Sequence, residues 1–170
     1  MTDAEYIIGL MRTESNAVGF IPQNSIRTYW MKNGNYVLQY DRQGRRRGYI
    51  LHGPARPGRP LRIYQTVISY DHRLRGFGCL AVRTVIERAN AAQASRVLLR
   101  CATDLEANAF WLANGFTPLC CKPGGKKRGR MITTYALELT PPEKPIEKNR
   151  TCKASLSPIF SGCLLGFQTS

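Results

Sequence analysis

The sequence predicts one mixed α/β domain whose sheet is antiparallel at both ends and parallel at a single crossover between them. Three observations predict this fold. Predicted helices and strands alternate without an internal repeat, a strand–turn–helix–strand unit occupies the middle of the chain, and paired strands lie on either side of that unit. With 170 residues, 43% of them hydrophobic, the chain is long enough to bury one sizeable core.

The elements of the first half follow from apolar spacing and from glycine and proline breaks. Helices are indicated by apolar residues three or four apart, and strands by runs of β-branched and aromatic residues between turn signals. In chain order we predict a helix at 3–13, a loop at 14–24, a short helix at 25–31, strands at 36–41 and 48–53, a Pro/Gly/Arg segment at 54–60 and a central strand at 61–70.

A glycine-rich turn then joins the central strand to a helix predicted over 79–92. Its sequence is Arg73-Leu74-Arg75-Gly76-Phe77-Gly78. Backbone N–H groups at the start of a helix favour an anion, and a side chain at Gly76 or Gly78 would keep a phosphate from the backbone. Arg73 and Arg75 add positive charge. The turn therefore predicts a pyrophosphate-binding site; the alternative is an ordinary loop with two solvated arginines.

A second helix is predicted from Thr103 to Gly115. Thr103 and Glu106 have the spacing of a capping box, and Gly115 suits the left-handed position that ends a helix. Asn108 lies inside this helix, where asparagine has poor propensity, so either its side chain has a function or it faces solvent. Strands at 116–121 and 131–139 follow, paired as a hairpin through 122–125.

Together the two segments resemble the GCN5-related N-acetyltransferase (GNAT) superfamily. Residues 73–78 match, position by position, the Arg/Gln-x-x-Gly-x-Gly/Ala turn that binds the pyrophosphate of acetyl-CoA in that family. Trp111 and Gly115-Phe116 match its second motif, an aromatic residue, three spacers and Gly-Phe. The resemblance covers about residues 14–139. It implies a mixed, mostly antiparallel sheet flanked by helices, with a parallel strand pair splayed around the cofactor.

The resemblance further implies transfer of an acetyl group from acetyl-CoA to an amine, by direct attack on the thioester. Backbone of the central strand would pair with the pantetheine arm, Asn108 would hydrogen-bond it, and an aromatic side chain of the second motif would pack beside it. The cofactor-binding residues that it implies are Val67, Ile68, Arg73, Leu74, Arg75, Gly76, Phe77, Gly78, Cys79, Asn108, Phe110 and Trp111.

The sequence departs from the family in two ways. Trp111 stands where many members have a tyrosine that protonates the departing thiolate, and no clear strand precedes the first helix. The catalytic residues therefore stay open. Tyr70, Tyr135 and His52 are candidate acids without positional support. Glu14 is a candidate base, although the preferred interpretation of this residue is a solvated surface glutamate.

The net charge of +14 exceeds what the phosphates of CoA would use. Clusters lie at 45–47, at Arg56/Arg59/Arg62 and at 122–130. We expect either an anionic acceptor (an acidic peptide, a phosphorylated metabolite or a charged tRNA) or simple solubility charge. Two non-catalytic alternatives stay open on the same fold: a basic module that binds nucleic acid, and a sensor that holds CoA without turnover.

The rest of the composition limits cofactors and compartment. The six cysteines form no CxxC pair and there is no histidine cluster, which favours reduced thiols without a metal. No apolar stretch is long enough for a membrane span and no leader segment is evident, so we expect a cytoplasmic protein; a homodimer is one option for its oligomeric state. We predict an acetyltransferase domain at 1–140 and a linker with a disordered tail at 141–170.

Overall fold

The computed structural model describes residues 1–15, 17–124 and 129–139. They form one six-stranded sheet with the strand order β1-β2-β3-β4-β6-β5. The strands are β1 (Tyr36–Tyr40), β2 (Arg46–His52), β3 (Leu61–Ile68), β4 (Arg96–Ala102), β5 (Thr117–Pro123) and β6 (Met131–Glu138). The helices are α1 (Asp3–Thr13), the three-residue α2 (Gln23–Ser25), which continues into a π-helical turn (Ile26–Met31), α3 (Phe77–Ala91) and α4 (Ala107–Ala113).

The predicted topology is confirmed. Every neighbouring pair of strands is antiparallel except β3 and β4, which are parallel on either side of the crossover helix α3. Helix α3 begins at Phe77, two residues earlier than the sequence indicates. In the described residues the first element is α1, so no strand precedes it.

The capping box predicted at Thr103 is wrong. Helix α4 begins after Glu106, and no side chain caps its first turn. The Thr103 hydroxyl instead donates to the carbonyl of Met131 on β6, and the Thr103 N–H donates to the same carbonyl. The cause is tertiary: β6 offers an acceptor that local spacing does not reveal, so Thr103 extends the strand edge instead of capping a helix.

Strands β3 and β4 diverge soon after they meet. Their pairing comprises only Leu61 with Val97 and Arg62 with Leu98. From Ile63 onward β3 pairs with β2 alone. This divergence leaves a gap in the middle of the sheet, with unpaired strand edges on both sides.

A β-bulge at Tyr64 makes β3 bury residues on both faces of the sheet. His52 pairs with Ile63 and Leu51 with Gln65, so Tyr64 is the extra residue. Before the bulge, Leu61 and Ile63 pack in the core under α3. After it, Val67 packs in a second core under α1. The two cores therefore meet at the strand that borders the gap.

The remaining predictions concern cysteines, metals and the end of the chain. The four described cysteines, at positions 79, 101, 120 and 121, are free thiols. Among the described residues no group of three or more His, Cys, Asp or Glu side chains is placed to hold a metal ion. None of the helices in the described part of the chain has the length and apolarity that a membrane span needs. The predicted tail at 141–170 lies outside the described residues.

Candidate active site

Two cavities lie along the gap between β3 and β4. The cradle cavity has a volume of about 580 Å³ and is lined by the end of β3, the turn at 73–79 and the start of α4. The sheet-face cavity has about 1070 Å³ and is lined by the start of β3 and by β4, β5 and β6. Ala17, in the loop after α1, lines both. The gap therefore joins two compartments under one loop.

The turn at 73–78 has the geometry of an anion cradle. Gly76 is the residue before α3 and has φ +84°, a left-handed conformation that glycine adopts without strain. No side chain caps the helix, and its first turn carries no acidic residue. A Cβ at Gly76 would point into open space, which is the room that a close phosphate needs. Leu74 also has a positive φ, of 58°, which is unusual for leucine and typical of a ligand-binding loop.

Gly78 has a packing contact that the sequence does not indicate. A Cβ there would lie 3.0 Å from Cε2 and 3.1 Å from Cζ of Phe110. Its lack of a side chain therefore lets α3 approach the Phe110 ring at the edge of the cradle cavity. Gly78 also lines the cradle cavity, so this packing role is additional, and the space that it leaves for a phosphate stays a prediction.

The Arg73 side chain is already engaged. Its Nη2 lies 2.6 Å from Oε2 of Glu14, and its Nε donates to the carbonyl of Ile68 at 3.2 Å. The guanidinium also lies over the Tyr70 ring, 5.3 Å from its centre. Arg75 is exposed and has no carboxylate within salt-bridge distance among the described residues. Of the two arginines, Arg75 is the one free to meet a phosphate.

The end of β3 presents polar groups to the gap. The Ser69 N–H donates to Arg47 on β2, and backbone groups alternate in direction along an antiparallel strand. The N–H and C=O of Ile68 and Thr66 therefore point away from β2, and those of Val67 point toward it. The Thr66 hydroxyl oxygen is buried without a hydrogen-bond partner and lines the cradle cavity. Sequence reasoning missed Thr66, although it lies two residues from Ile68 and so on the same edge.

Solved structures share this fold. No family model matches the sequence, and no curated protein is similar to it in sequence. The structure of Ard1 from Thermoplasma volcanium superposes with a TM-score of 0.71, at 17% identity, over 81% of this chain and 92% of that one. This chain has the GNAT fold.

Two further structures with the GNAT fold were determined with ligands. Naa20 from Chaetomium thermophilum, in complex with a bisubstrate analogue, is 16% identical, with a TM-score of 0.65 over 81% of this chain and 84% of that one. An aminoglycoside 6'-N-acetyltransferase complexed with coenzyme A is 11% identical, with a TM-score of 0.64 over 81% and 91%. At these identities the similarity establishes the fold.

Within this GNAT fold, Asn108 is not turned toward the cradle cavity. Its Nδ2 donates to the carbonyls of Ala102 at 2.8 Å and Leu105 at 2.5 Å, and its Oδ1 accepts from the Tyr135 hydroxyl at 2.9 Å. Both ends of the amide are thus occupied by protein. The geometry makes Asn108 a brace between the loop at 102–105, helix α4 and β6, in place of the hydrogen bond to the cofactor that the sequence predicts.

The aromatic residues of the second motif divide their roles. Both line the cradle cavity, but Phe110 is half-buried, while Trp111 is 6% exposed. Trp111 makes edge-to-face contacts with Phe110, at 4.9 Å between ring centres, and with Phe116, at 5.4 Å. Trp111 therefore supports the ring of Phe110 from the core.

Three candidate acids lie away from both cavities. Burial, with Arg88 nearby, lowers the pKa of His52, whose Nε2 is 3.0 Å from the Arg88 guanidinium. Burial raises the pKa of Tyr135, whose hydroxyl is committed to Asn108. Tyr70 is exposed beneath Arg73. None of them lines either cavity.

Glu14, the candidate base, does line the cradle cavity, but its carboxylate is paired with Arg73. The loop that follows Glu14 is also held near its far end, at Gly19. The Gln65 amide donates to the carbonyl of Gly19 and accepts from the Tyr49 hydroxyl at 3.1 Å. Gln65 is 4% exposed, so this tether is part of the core. The sequence offers no local sign of it, because the partners lie 16 and 46 residues away.

Proposed function

We propose that this protein is an N-acetyltransferase that uses acetyl-CoA and an amine acceptor. The observation that carries the proposal is the gap between β3 and β4, which runs from the uncapped start of α3 to an open cavity on the sheet. A thioester carrier has an anionic end, an extended arm and a reactive end. The three parts of the gap suit them in that order.

The donor would bind in the cradle cavity. N–H groups of Phe77, Gly78 and Cys79 in the first turn of α3 would hold the pyrophosphate, with Arg75 and the turn at Leu74–Gly76 around it. The pantetheine arm would pair with the exposed edge of β3 at Ile68, and the unpartnered Thr66 hydroxyl would supply a further hydrogen bond. Val67 and Phe110 would pack against the arm, with Trp111 behind Phe110.

The acceptor amine would approach from the sheet-face cavity. Its nitrogen attacks the thioester carbonyl, the new C–N bond forms, the C–S bond breaks, and the nitrogen gives up one proton. Backbone N–H groups at the β3 edge would polarise the carbonyl oxygen. A thiol has a pKa near ~8.5, so CoA leaves as a thiolate without a dedicated acid. A transfer without a dedicated acid is consistent with the positions of Tyr70 and Tyr135, which line neither cavity.

The acceptor in this proposal carries negative charge. Neither the cluster at 45–47 nor Arg56 and Arg59 lines either cavity, and Arg45 and Arg47 are paired with Asp41. The cations that line the sheet-face cavity are the ones available to an acceptor. Free thiols at the described cysteines fit a reducing compartment such as the cytoplasm.

The test is calorimetric titration with CoA, together with thiol release from acetyl-CoA over a panel of amines. We expect saturable CoA binding and release with at least one amine. CoA binding without thiol release on any amine would instead support the CoA sensor. The described lining of the cradle cavity includes no tyrosine, which favours that alternative. Salt-sensitive RNA binding without CoA binding would support a nucleic-acid module.

We also propose that residues 1–140 form the complete catalytic unit. A chain truncated after Thr140 should bind CoA and release thiol at the rate of the full chain, since the described residues that line the two cavities all lie before that point. Stopped assays on the two chains at equal concentration measure this. Loss of activity on truncation would show that residues 141–170 contribute to the site.

A further inference from the structure

The sheet-face cavity has a floor made by one face of four strands. Arg62 is paired with Leu98, and two residues further along β4, Arg100 is paired with Thr134 of β6, which is paired with Cys120 of β5. Side chains two residues apart on a strand share a face, so these residues form a continuous surface. All seven residues of β5 are exposed. The surface is therefore open at its β5 edge.

The charge of this surface is of one sign. Its described lining includes four cations, Arg62, Arg100, Lys122 and Arg130, and no carboxylate. Arg130 is paired with Asp104 at 3.0 Å. Within the described part of the chain, no Asp or Glu oxygen lies within 4.0 Å of the charged nitrogens of Arg62, Arg100 or Lys122. Three cations thus line one open cavity, and none of them is paired with a carboxylate among the residues that the structure describes.

The shape of the cavity selects among anionic partners. At about 1070 Å³ it slightly exceeds the usual range of about 300–1,000 Å³ for small-molecule pockets. The aromatic residues in its described lining are Phe20 and Tyr64, and the described lining residues of β4, β5 and β6 include no aromatic ring. Nucleic-acid surfaces on sheets rely on aromatic rings that stack bases. An extended polypeptide needs no such rings, because it lies flat on a sheet with its side chains spaced along the strands.

We infer that the acceptor is the acidic N-terminal segment of a polypeptide, which lies on this face with its carboxylates on Arg62, Arg100 and Lys122 and its amine in the β3–β4 gap. The inference rests on the proposed acetyl transfer and names its substrate class. A carboxylate within the first few residues reaches these cations, since an extended chain advances about 3.3 Å per residue.

The experiment compares two synthetic peptides of equal length with the same first residue. One carries Asp and Glu at positions two to four, and the other carries Asn and Gln there. Thiol release is measured with each at low and high salt, and binding of fluorescently labelled copies is measured in the presence of CoA. We expect kcat/KM for the acidic peptide to exceed that for the amide peptide by about threefold or more at low salt, as two or more exposed ion pairs would give. The ratio should fall toward one at high salt.

The decisive variant is Arg62→Gln/Arg100→Gln, and its matched control is Arg42→Gln/Arg83→Gln, which removes the same charge from exposed positions away from the cavity. We expect the ratio of kcat/KM for the acidic peptide to kcat/KM for the amide peptide to fall toward one in the first variant, and to stay at its wild-type value in the control. Equal rates on both peptides, or an unchanged ratio in the first variant, would overturn the inference.

The binding measurement separates this inference from the proposed function. One outcome is that no peptide is acetylated, while the wild-type protein binds the acidic peptide and the Arg62→Gln/Arg100→Gln variant does not bind it. This outcome would support the peptide-binding surface and contradict the proposed acetyl transfer. If thiol release occurs with neutral amines while neither peptide binds, the acetyl transfer stands and the surface fails. Tight binding of single-stranded RNA without binding of the acidic peptide would also overturn the inference that the acceptor is an acidic N-terminal segment.

Discussion

Gly76 and Gly78 lie two residues apart in one motif and do different work. The first combines a positive φ with open space in front of its Cα, and the second lies against the Phe110 ring. Both line the cradle cavity, but only Gly76 combines a left-handed conformation with open space at its Cβ position. A motif match treats the two positions alike, and the surroundings of each distinguish them.

Replacement of Gly76 by alanine should weaken CoA binding for two separable reasons. A left-handed L-residue costs roughly 1–2 kcal/mol, and the new methyl group enters the space of the phosphate. Gly44→Ala is the matched control, because Gly44 has φ +72° with open surroundings in the β1–β2 turn. We expect similar losses of unfolding free energy in urea, with a loss of CoA affinity by calorimetry in Gly76→Ala alone. Equal CoA affinity in both variants would contradict the cradle.

Asn108→Ala should act on stability. The change leaves the Tyr135 hydroxyl and the loop carbonyls without partners, and we expect a loss of about 2–3 kcal/mol of unfolding free energy. Asn114→Ala, which removes a single bond to the Phe110 carbonyl at 2.8 Å, should cost about 1 kcal/mol. Chemical denaturation compares the two. A stable Asn108→Ala variant with weakened CoA binding would restore the cofactor role that the sequence predicts.

At the scale of elements, the loop after α1 connects the two halves of the site. Glu14 at its start is paired with Arg73 of the cradle, and Gly19 near its end is held by Gln65 of β3. Ala17, between them, lines both cavities. A phosphate in the cradle would compete with Glu14 for the Arg73 guanidinium. If CoA binds as proposed, its phosphate and the position of the loop after α1 would be linked through the Arg73–Glu14 ion pair.

Glu14→Gln should raise the affinity for CoA, by up to about fivefold, because it frees Arg73 and removes a negative charge from the cradle cavity. Glu87→Gln breaks the exposed Arg83–Glu87 pair on α3 and should leave the affinity unchanged. Calorimetry at low salt measures both. If Glu14→Gln binds CoA no better than Glu87→Gln does, Arg73 does not exchange Glu14 for the phosphate.

At the scale of the whole molecule, Arg88 joins α3 to the first half of the sheet. Its guanidinium donates to the carbonyl of Tyr36 at 2.8 Å and meets Nε2 of His52 at 3.0 Å, while Nδ1 of His52 contacts the Gly53 carbonyl at 2.7 Å. This arrangement needs a neutral imidazole with its proton on Nδ1. A second proton on Nε2 would face the guanidinium. His52 is therefore a structural residue whose charge state matters for the fold.

Stability should fall as the medium becomes acidic. The pKa of His52 is lowered in the folded state, so the unfolded chain binds a proton first, and the native state loses stability as pH falls below the unfolded value of about 6.5. Above that value this contribution is fully present. Denaturation at pH 7.5 and 5.5 measures it. His52→Gln should reduce the difference in unfolding free energy between the two pH values, and His72→Gln should keep it. A wild-type protein that is equally stable at pH 7.5 and 5.5 would contradict this account.

Much of this protein is determined by local sequence. Helix α1, the two hairpins and the crossover around α3 follow from side-chain spacing and turn residues, and the 73–78 turn follows from its glycines, because these are interactions between residues close along the chain. Only the tertiary structure decided the rest. Thr103 bonds to the Met131 carbonyl instead of capping a helix, Asn108 accepts from the Tyr135 hydroxyl, and Arg73 pairs with Glu14. The packing of the sheet also places Arg62 and Arg100 on one open face. Each of these outcomes depends on a partner distant along the chain, and the packing of the sheet sets which partner comes within reach.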